Sequence, residues 1–316
     1  MITWGIIGCG NVTEVKSGPA FNKVPNSKLH AVMRRDADKA ADYALRHNVQ
    51  KWFNDADALI NDSDVNAIYI ATPPSTHEEY AIASIKAGKH VYVEKPVTPD
   101  AAAARRIAEF AKANNIKMAV AHYRRQMPIF KKIKQLLDDN VIGQVLSINM
   151  NFFQAGKKET TENWRLDPAV SGGGYFHDLA PHQLDLMLYF FKPPVYVNGV
   201  SLNQGQHYAA DDAVACTMLF ENGAVFNGTW LFSAPESLER DSCEIIGTKG
   251  VITFSVFDMK QIAVNGEVIP FKPLQHVQQP MIEKVVEFFS GSASNPCSGD
   301  DGYTVMWMID QITGRR

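Results

Sequence analysis

The chain has 316 residues, so about two domains are expected, because single compact cores seldom grow beyond about 250–300 residues. Its hydrophobic fraction of 46% and charged fraction of 21% are typical of a globular protein and exclude a disordered or fibrous one. The net charge of −3 provides no long-range attraction for nucleic acid or an anionic membrane, and no apolar run approaches a membrane span of roughly 18 residues.

The first 122 residues alternate short apolar strands with helices. The predicted strands are Trp4–Ile7, Leu29–Met33, Ala67–Ala71, His90–Val93 and Met118–Ala121. The predicted helices are Asn11–Lys23, Asp38–His47, Asp55–Ile60, Thr76–Ala87 and Pro99–Asn114. Alternation of this kind predicts an α/β domain with a doubly wound parallel sheet over residues 1–122.

Residues 123–316 show a different pattern, in which strands follow one another without intervening helices. The predicted strands are Val145–Phe153, Tyr196–Leu202, Ala213–Phe220, Ala224–Phe232, Cys243–Ile246, Val251–Phe254 and Gln261–Val264. The predicted helices, which would cover one face, are Pro128–Asp138, Pro181–Phe191, Met281–Ser290 and Asp301–Thr313. A second, α+β domain with a largely antiparallel or mixed sheet is therefore expected.

A glycine-rich turn follows the first predicted strand. Gly8 permits a tight turn, and Gly10 lets the backbone approach a pyrophosphate without interference from a Cβ atom. The next positions open a helix, whose N–H groups and dipole favour an anion. The third position of the glycine fingerprint holds Thr13. The turn therefore predicts dinucleotide binding by Gly8, Cys9, Gly10, Asn11 and Val12.

Two arginines, Arg34 and Arg35, end the second strand, where NAD-binding domains place an acidic residue on the ribose. Guanidinium groups pair with phosphate through two hydrogen bonds, so this position favours the 2′-phosphate of NADP over NAD. In the alternative, Asp36 reaches the ribose while both arginines point to water.

Two further loops follow strands at the same predicted sheet edge. The loop after Ala71 would place Thr72, Pro73 and His77 over the cofactor, although it is also readable as a proline-stiffened loop with Thr76 as a helix cap.

Glu94 and Lys95 close the fifth strand, where both are expected to belong to the cofactor site, and the following proline holds Lys95 out of helical geometry. We expect Lys95 to contact both the nicotinamide ribose and a substrate hydroxyl.

Asp178 and His182 are four residues apart and would share a helix face. Pro181 is favoured in a first helical turn, which would place Asp178 near the N-cap. First-turn placement would keep the His182 imidazole neutral, the form required of a general base. The simpler alternatives are a capping aspartate and a buried histidine that bonds to backbone.

Trp164 and Arg165 could offer a sugar a stacking face and a hydrogen-bond donor, although ordinary packing explains the pair as well. Tyr123, at the change of pattern, joins this predicted substrate set. His177, Asp178 and His182 lack a further ligand cluster, so no metal is predicted.

These motifs resemble the Gfo/Idh/MocA family, the glucose–fructose oxidoreductase and inositol dehydrogenase group. The matching phrases are Gly8–Asn11, Ala71–Pro74, His77, Ala87–Val91, Glu94–Pro96, Ser171–Gly174, and Asp178 with His182. The resemblance implies a Rossmann domain followed by an open-faced mixed sheet, through which members often dimerise. It also implies that Lys95 and His182 handle the substrate proton while Asp178 orients substrate and imidazole. Trp164 and Arg165 resemble the substrate residues of sugar-reducing members.

The sequence therefore predicts an NADP-dependent oxidoreductase, with NAD as the alternative cofactor, acting on a sugar, polyol or related carbonyl compound. Two other functions stay open: glycoside cleavage with transient oxidation by bound NAD, and a non-catalytic nucleotide-sensing regulator. Four cysteines without C-x-x-C spacing favour a reduced, cytoplasmic protein. The family resemblance implies a homodimer or higher homo-oligomer.

Overall fold

The computed structural model of the chain describes residues 1–156 and 163–314. Six strands form the first sheet: β1 Ile2–Ile7, β2 Ser27–Met33, β3 Lys51–Phe53, β4 Ala67–Ile70, β5 His90–Val93 and β6 Met118–Val120. The helices among them are α1 Asn11–Val15, α2 Ala37–Arg46, α3 Ala56–Ile60, α4 His77–Lys86 and α5 Ala101–Ala113. All neighbouring strands are parallel, in the order β3-β2-β1-β4-β5-β6, which confirms the predicted doubly wound Rossmann sheet.

Eight strands form the second sheet: β7 Val145–Ala155, β8 Pro194–Leu202, β9 Ala213–Phe220, β10 Val225–Ala234, β11 Arg240–Gly247, β12 Gly250–Phe254, β13 Gln261–Val264 and β14 Glu267–Pro270. The remaining helices are α6 Pro128–Asp138, α7 Pro168–Ser171, α8 Gly174–Phe191, α9 Gln279–Phe289 and α10 Gly299–Thr313. Within the order β14-β13-β12-β11-β7-β10-β9-β8, only the β7–β10 pair of the described strands is parallel. The predicted mixed, largely antiparallel sheet is confirmed.

The chain divides into two compact units that differ in one respect from the predicted division at residue 122. The first unit contains residues 1–124 and 274–303, and the second contains residues 125–273 and 304–316. Residues 274–303, which the prediction assigned to the second domain, therefore cluster with the Rossmann sheet. The physical reason is apolar packing: Phe289 of α9 lies against Trp4, with ring centroids 5.5 Å apart.

Three short elements differ from the prediction. The single helix expected over 11–23 is a short α1 followed by a 3-10 helix, Gly18–Asn22. A Cβ at Gly18 would collide with the Thr13 carbonyl and the Tyr43 hydroxyl, so the chain turns there in close contact with its neighbours. The edge strands β3 and β14 went unpredicted because three or four residues are too few to show a period.

The second sheet buries one face, against which α8 is packed. The Trp230 indole N–H donates to the Gln183 side-chain oxygen at 2.6 Å, and the ring of Phe176 meets that of Trp230 edge-on at 5.1 Å. These contacts tie α8 to β10 and fix the rotation of the helix about its axis. No helix among the described residues is long and apolar enough to cross a membrane.

Candidate active site

Gly8 occupies the turn where β1 meets the ends of two neighbouring strands. Its φ of +92° lies in the region that only glycine adopts easily. A Cβ there would lie 2.7 Å from Thr72 Cγ2 and 2.9 Å from the Ala71 carbonyl carbon. Its N–H and that of Cys9 both donate to the Met33 carbonyl, at 2.9 and 3.1 Å. The loops after β1, β2 and β4 therefore converge here.

Gly10 faces open space, in contrast to Gly8. A Cβ at Gly10 would find only the Gly8 oxygen, 3.8 Å away, within 4 Å. The Gly10 N–H donates to Thr13 Oγ1 at 3.0 Å, and the Thr13 hydroxyl donates back to the Gly10 carbonyl at 2.8 Å. Thr13 therefore closes the loop from beneath. A backbone surface left open above a closed turn fits the approach of a dinucleotide pyrophosphate.

The other predicted residues of this loop contribute in different ways. Asn11 is exposed and Val12 is half-buried, so both stand at the surface of the loop. The Cys9 side chain is fully buried, and burial raises the pKa of its thiol to about 11. Cys9 therefore stays protonated near neutral pH, and only its backbone can serve a ligand.

The arginines after β2 differ in position. Arg34 is half-buried, and its Nη1 donates to the Cys9 carbonyl at 3.3 Å, which places a guanidinium beside the glycine loop. Arg35 is exposed. The Asp36 carboxylate is already engaged, since it accepts the Lys39 N–H at 3.1 Å as the N-cap of α2 and pairs with the Lys39 ammonium at 2.9 Å.

His77 stands behind the loops and does not face a ligand. Its side chain is 0% exposed; Nε2 lies 2.8 Å from the Thr72 carbonyl oxygen, and Nδ1 lies 3.1 and 3.2 Å from the Pro96 and Val97 carbonyl oxygens. Burial lowers the pKa of the imidazole to about 4. A neutral imidazole carries one N–H, so His77, predicted to contact the cofactor, donates either to the loop after β4 or to the loop after β5.

The loop after β4 also carries Thr72 and Pro73, both partly exposed. The Thr76 hydroxyl donates to Thr72 Oγ1 at 2.8 Å. Thr76 precedes α4 but its side chain makes no capping bond to that helix. Its hydroxyl therefore holds the loop and does not cap the helix.

Glu94 is turned into the interior of the first unit and is 6% exposed. Its Oε2 accepts the Lys95 N–H at 3.1 Å, and its Oε1 accepts the Gln278 amide at 2.7 Å and the Tyr69 hydroxyl. Burial, followed by the Glu94 charge, raises the pKa of Tyr69 well above its ordinary value, so Tyr69 remains a donor. Lys95 itself is half-buried, and the Lys95–Pro96 peptide bond is cis. Glu94 therefore anchors the backbone of Lys95.

Tyr123 lies at the end of the first unit and is buried. The Arg124 guanidinium lies over its ring, 5.3 Å from the centroid. This cation–π contact gives Tyr123 a packing role, and its assignment to the substrate set stays a prediction.

Within the second unit, three predicted residues are in contact. Arg165 Nε donates to Asp178 Oδ2 at 2.9 Å, and the Arg165 guanidinium lies 4.5 Å from the centroid of the Trp164 ring. Asn163 supports this arrangement, since its Oδ1 accepts the Arg165 N–H at 3.2 Å. Arg165 is 42% exposed, whereas Asp178 is 14% exposed. The three side chains form one polar and aromatic surface.

The helix that carries Asp178 begins earlier than predicted. It starts at Gly174, so Pro181 is interior and Asp178 is not its N-cap. Gly172, Gly173 and Gly174 all have positive φ, and the Ser171 hydroxyl oxygen accepts the N–H groups of Gly173 and Gly174 at 3.2 and 2.9 Å. The start of the helix is therefore capped by the Ser171 hydroxyl and not by Asp178 as expected.

His182 lies one turn beyond Asp178, as the spacing of four predicts. It is 6% exposed, and its ring meets the Phe257 ring edge-on with centroids 5.8 Å apart. The prediction that it lies in the first turn is wrong, because the helix begins more than two turns earlier. Since a helix dipole acts mainly within its first turn, that reason for a neutral imidazole does not hold.

One group among the described residues has metal-like spacing: His30, Asp62 and Asp64. The Lys51 ammonium already pairs with both carboxylates, at 2.8 Å to Asp62 and 2.9 Å to Asp64. Because the lysine ammonium pairs with both carboxylates, the group gives no reason to place a metal ion there.

The chain matches two family models. Residues 2–122 match an oxidoreductase family with an NAD-binding Rossmann fold, and residues 130–253 match a GFO/IDH/MocA C-terminal domain. It is 47% identical over 320 residues to Oxidoreductase P35 of Formosa agariphila, covering 99% of this chain and 98% of that protein. It is 24% identical over 252 residues to 1,5-anhydro-D-fructose reductase of Ensifer adhaerens, covering 79% and 74% of the two chains.

The fold is shared with a solved structure of levoglucosan dehydrogenase in complex with NADH and levoglucosan. The TM-score is 0.86 at 23% sequence identity, with 98% of this chain and 95% of that chain covered. At this level of identity the likeness establishes the architecture of the chain.

Proposed function

Because the chain belongs to the Gfo/Idh/MocA family of NAD(P)-dependent oxidoreductases, we propose that it transfers hydride between NADP and a sugar or polyol. The family membership rests on two models that together match residues 2–122 and 130–253. The substrate class is supported by the names of relatives, which include 1,5-anhydro-D-fructose reductase and levoglucosan dehydrogenase.

The observation that carries the substrate proposal is the surface formed by Trp164, Arg165 and Asp178. An indole face packs against the C–H side of a sugar ring, while a guanidinium donates and a carboxylate accepts hydrogen bonds from hydroxyl groups. The Arg165–Asp178 bond of 2.9 Å holds both polar groups in fixed directions before a substrate arrives. Such preorganisation reduces the ordering cost of binding.

In the proposed mechanism, the dinucleotide supplies or accepts the hydride when it is bound. For reduction, the imidazole of His182 delivers a proton to the substrate oxygen as the carbonyl carbon is reduced. Lys95 is the second residue proposed to handle the substrate proton, as the family resemblance implies. Asp178 orients the substrate hydroxyls and the imidazole. In the oxidation direction the same groups remove the hydroxyl proton.

The preference for NADP is supported by Arg34. Its guanidinium lies beside the glycine loop, at 3.3 Å from the Cys9 carbonyl, and retains further N–H donors for a 2′-phosphate. Asp36, the alternative ribose ligand, is engaged as the N-cap of α2. A guanidinium beside the glycine loop together with an engaged carboxylate supports the choice of the phosphorylated cofactor.

The reaction is tested by following NADPH and NADH oxidation against a panel of ketoses, aldoses, inososes and anhydro sugars. Lys95→Ala and His182→Ala should each lower kcat on the best substrate by roughly a hundredfold or more while the cofactor Kd changes little. Lys86→Ala, which removes an exposed lysine of α4, is the control and should retain wild-type turnover. Wild-type turnover in both active-site variants would reject the mechanism.

The cofactor preference is tested separately with two neighbouring arginines. Arg34→Ala should weaken NADPH binding by roughly tenfold to a hundredfold and NADH binding much less, since only NADPH carries the 2′-phosphate. Arg35→Ala removes a guanidinium that is exposed, and it should weaken NADPH binding less than Arg34→Ala. Equal losses for NADPH and NADH in Arg34→Ala would refute the 2′-phosphate assignment.

A homodimer formed through the second sheet is proposed on the family resemblance and on exposed apolar side chains. Tyr196, Val200 and Leu202 of β8 and Leu219 of β9 are all exposed. Sedimentation of the wild type against a Val200→Glu variant tests this assembly, and a monomeric wild type would reject it. The cytoplasmic location is a further proposal, supported by four buried cysteines that form no disulfide in the described chain.

A further inference from the structure

A short segment just before α9 is tied to the glycine-loop helix. His276 Nδ1 lies 2.7 Å from the Val15 carbonyl oxygen, and its Nε2 lies 2.7 Å from the Lys23 ammonium. Because a carbonyl only accepts and an ammonium only donates, Nδ1 must carry the proton and Nε2 must accept. The imidazole therefore joins the last residue of α1 to Lys23, which directly follows the 3-10 helix.

Two residues further on, Gln278 makes two contacts in opposite directions. Its backbone N–H donates to the Lys16 carbonyl at 3.2 Å, at the end of α1. Its side-chain amide donates to Glu94 Oε1 at 2.7 Å. Gln278 is 0% exposed, so both bonds are shielded from water. One buried residue thus connects the cofactor-loop helix to the strand end that carries Lys95.

The Glu94 carboxylate transmits this connection to Lys95. Its Oε1 accepts from Gln278 and Tyr69, and its Oε2 accepts the Lys95 N–H at 3.1 Å. A carboxylate that is only 6% exposed needs such donors, because a buried charge without hydrogen bonds is costly. Gln278 is uncharged, so it donates a hydrogen bond to the carboxylate without forming an ion pair with it.

We propose that Gln278 is a positioning residue for Lys95: it fixes the Glu94 carboxylate, which in turn fixes the backbone from which the catalytic ammonium projects. This inference rests on the role proposed above for Lys95. The segment 276–278 follows the second sheet in the chain and clusters with the first unit. Gln278 therefore supports Lys95 from a sequence distance of 183 residues.

Removing the Gln278 amide should take away one of the two donors to Glu94 Oε1 and leave the Tyr69 hydroxyl. The carboxylate can regain a donor only by rotating or by binding water, and either change weakens its hydrogen bond to the Lys95 N–H. A displacement of the Lys95 ammonium of the order of 1 Å is sufficient to slow the chemical step strongly. The Arg34 and Gly10 surfaces are not part of this network, so cofactor affinity should be nearly unchanged.

The test uses Gln278→Met in the full-length protein, because methionine has a similar length and no amide. Gln275→Met, at an exposed position three residues earlier, is the matched control. Hydrogen exchange of the Lys95 amide should accelerate at least tenfold in Gln278→Met, because its hydrogen-bond acceptor is no longer fixed. The kcat should fall about tenfold, with the cofactor Kd within twofold of wild type.

A double-mutant cycle with Lys95→Ala separates positioning from general destabilisation. If Gln278 acts through Lys95, the Gln278→Met change should cost nothing further in the Lys95→Ala background. Glu94→Gln provides a second route and should make Gln278→Met similarly silent. The inference would be overturned if Gln278→Met lowered kcat by the same factor in both backgrounds as in the wild type. Unchanged hydrogen exchange at the Lys95 amide would also overturn it.

The exchange measurement does not depend on the proposed reaction. Lys95→Ala with wild-type turnover would reject the catalytic role of Lys95, and the amide exchange rate would still decide whether Gln278 holds the loop. Faster exchange with an unchanged kcat would show that Gln278 holds the backbone without positioning the ammonium, which contradicts the inference.

Discussion

Replacing His77 with glutamine should change how the stability of the protein depends on pH. The imidazole is completely enclosed and lies within 3.2 Å of three carbonyl oxygens, and burial lowers its pKa to about 4 from an ordinary value of 6.5. Glutamine retains an N–H donor for these carbonyls and does not titrate. The variant therefore removes one buried titrating group.

The direction follows from proton binding. Between about pH 6.5 and 4 the unfolded chain protonates His77 while the native protein does not, so unfolding takes up a proton and stability falls as the pH falls. The full interval between the two pKa values corresponds to about 3 kcal/mol, since one pKa unit is worth about 1.4 kcal/mol. By pH 5.0 the native protein should already have lost about 2 kcal/mol from this group alone.

Urea unfolding of the wild type and His77→Gln at pH 7.5 and 5.0 measures the effect. Every other titrating group contributes to both proteins, so the difference between the two pH dependences isolates His77. The wild type should lose about 2 kcal/mol more than the variant. Ser75→Ala, an exposed neutral neighbour, should follow the wild type. Equal losses in wild type and His77→Gln would refute a buried neutral imidazole.

Two further predictions concern the proposed ligand surfaces. Gly10→Ala should leave the unfolding midpoint within about 0.5 kcal/mol of wild type yet weaken NADPH binding at least tenfold, because its methyl group meets only open space where a pyrophosphate would lie. Gly8→Ala should instead lower the free energy of unfolding by about 2 kcal/mol or more, because of its positive φ and its close approach to Thr72. A Gly8→Ala variant as stable as the wild type, or a Gly10→Ala variant that binds NADPH as tightly, would contradict the reasoning. Arg165→Lys should raise KM several-fold with a smaller effect on kcat, since lysine loses the stack on Trp164, and an unchanged KM on every substrate would exclude this surface.

The Rossmann sheet was predictable because its central strands are buried on both faces and read as continuous apolar runs. Ala67–Ile70 and His90–Val93 are examples, and the loops after them carry Thr72 and Lys95. Once these strands are parallel, the residues that follow them must meet at one sheet edge. The convergence of Gly8 and Thr72 was therefore accessible from strand order alone.

The start of α8 was not predictable by the same reasoning. A proline normally marks a first turn, yet Pro181 lies inside this helix, whose entry is set by three glycines with positive φ. The glycine run was visible in the sequence as a turn signal. Its role as the entry to a long helix depends on the Ser171 hydroxyl oxygen, which accepts the N–H groups of Gly173 and Gly174.

Gln278 was missed for a different reason. A glutamine just before an amphipathic helix is usually a solvated residue, and no local pattern indicates that it meets Glu94 across 184 residues of sequence. Such a contact results from packing α9 against the first sheet, which depends on apolar side chains such as Phe289. The polar network is thus a consequence of hydrophobic burial elsewhere in the unit.

The predicted cofactor residues fall into two classes once their burial is known. His77 and Glu94 are enclosed, and their hydrogen bonds go to backbone groups and, for Glu94, also to the side chains of Tyr69 and Gln278. They can therefore affect a ligand only through the loops they hold. Lys95 and Arg34 are partly exposed and can reach a ligand directly. In the Glu-Lys-Pro motif, Glu94 therefore holds the backbone of Lys95, the residue proposed to act on the substrate. Substitutions of the enclosed residues should act by displacing the loops that these residues hold, because their side chains do not reach a ligand.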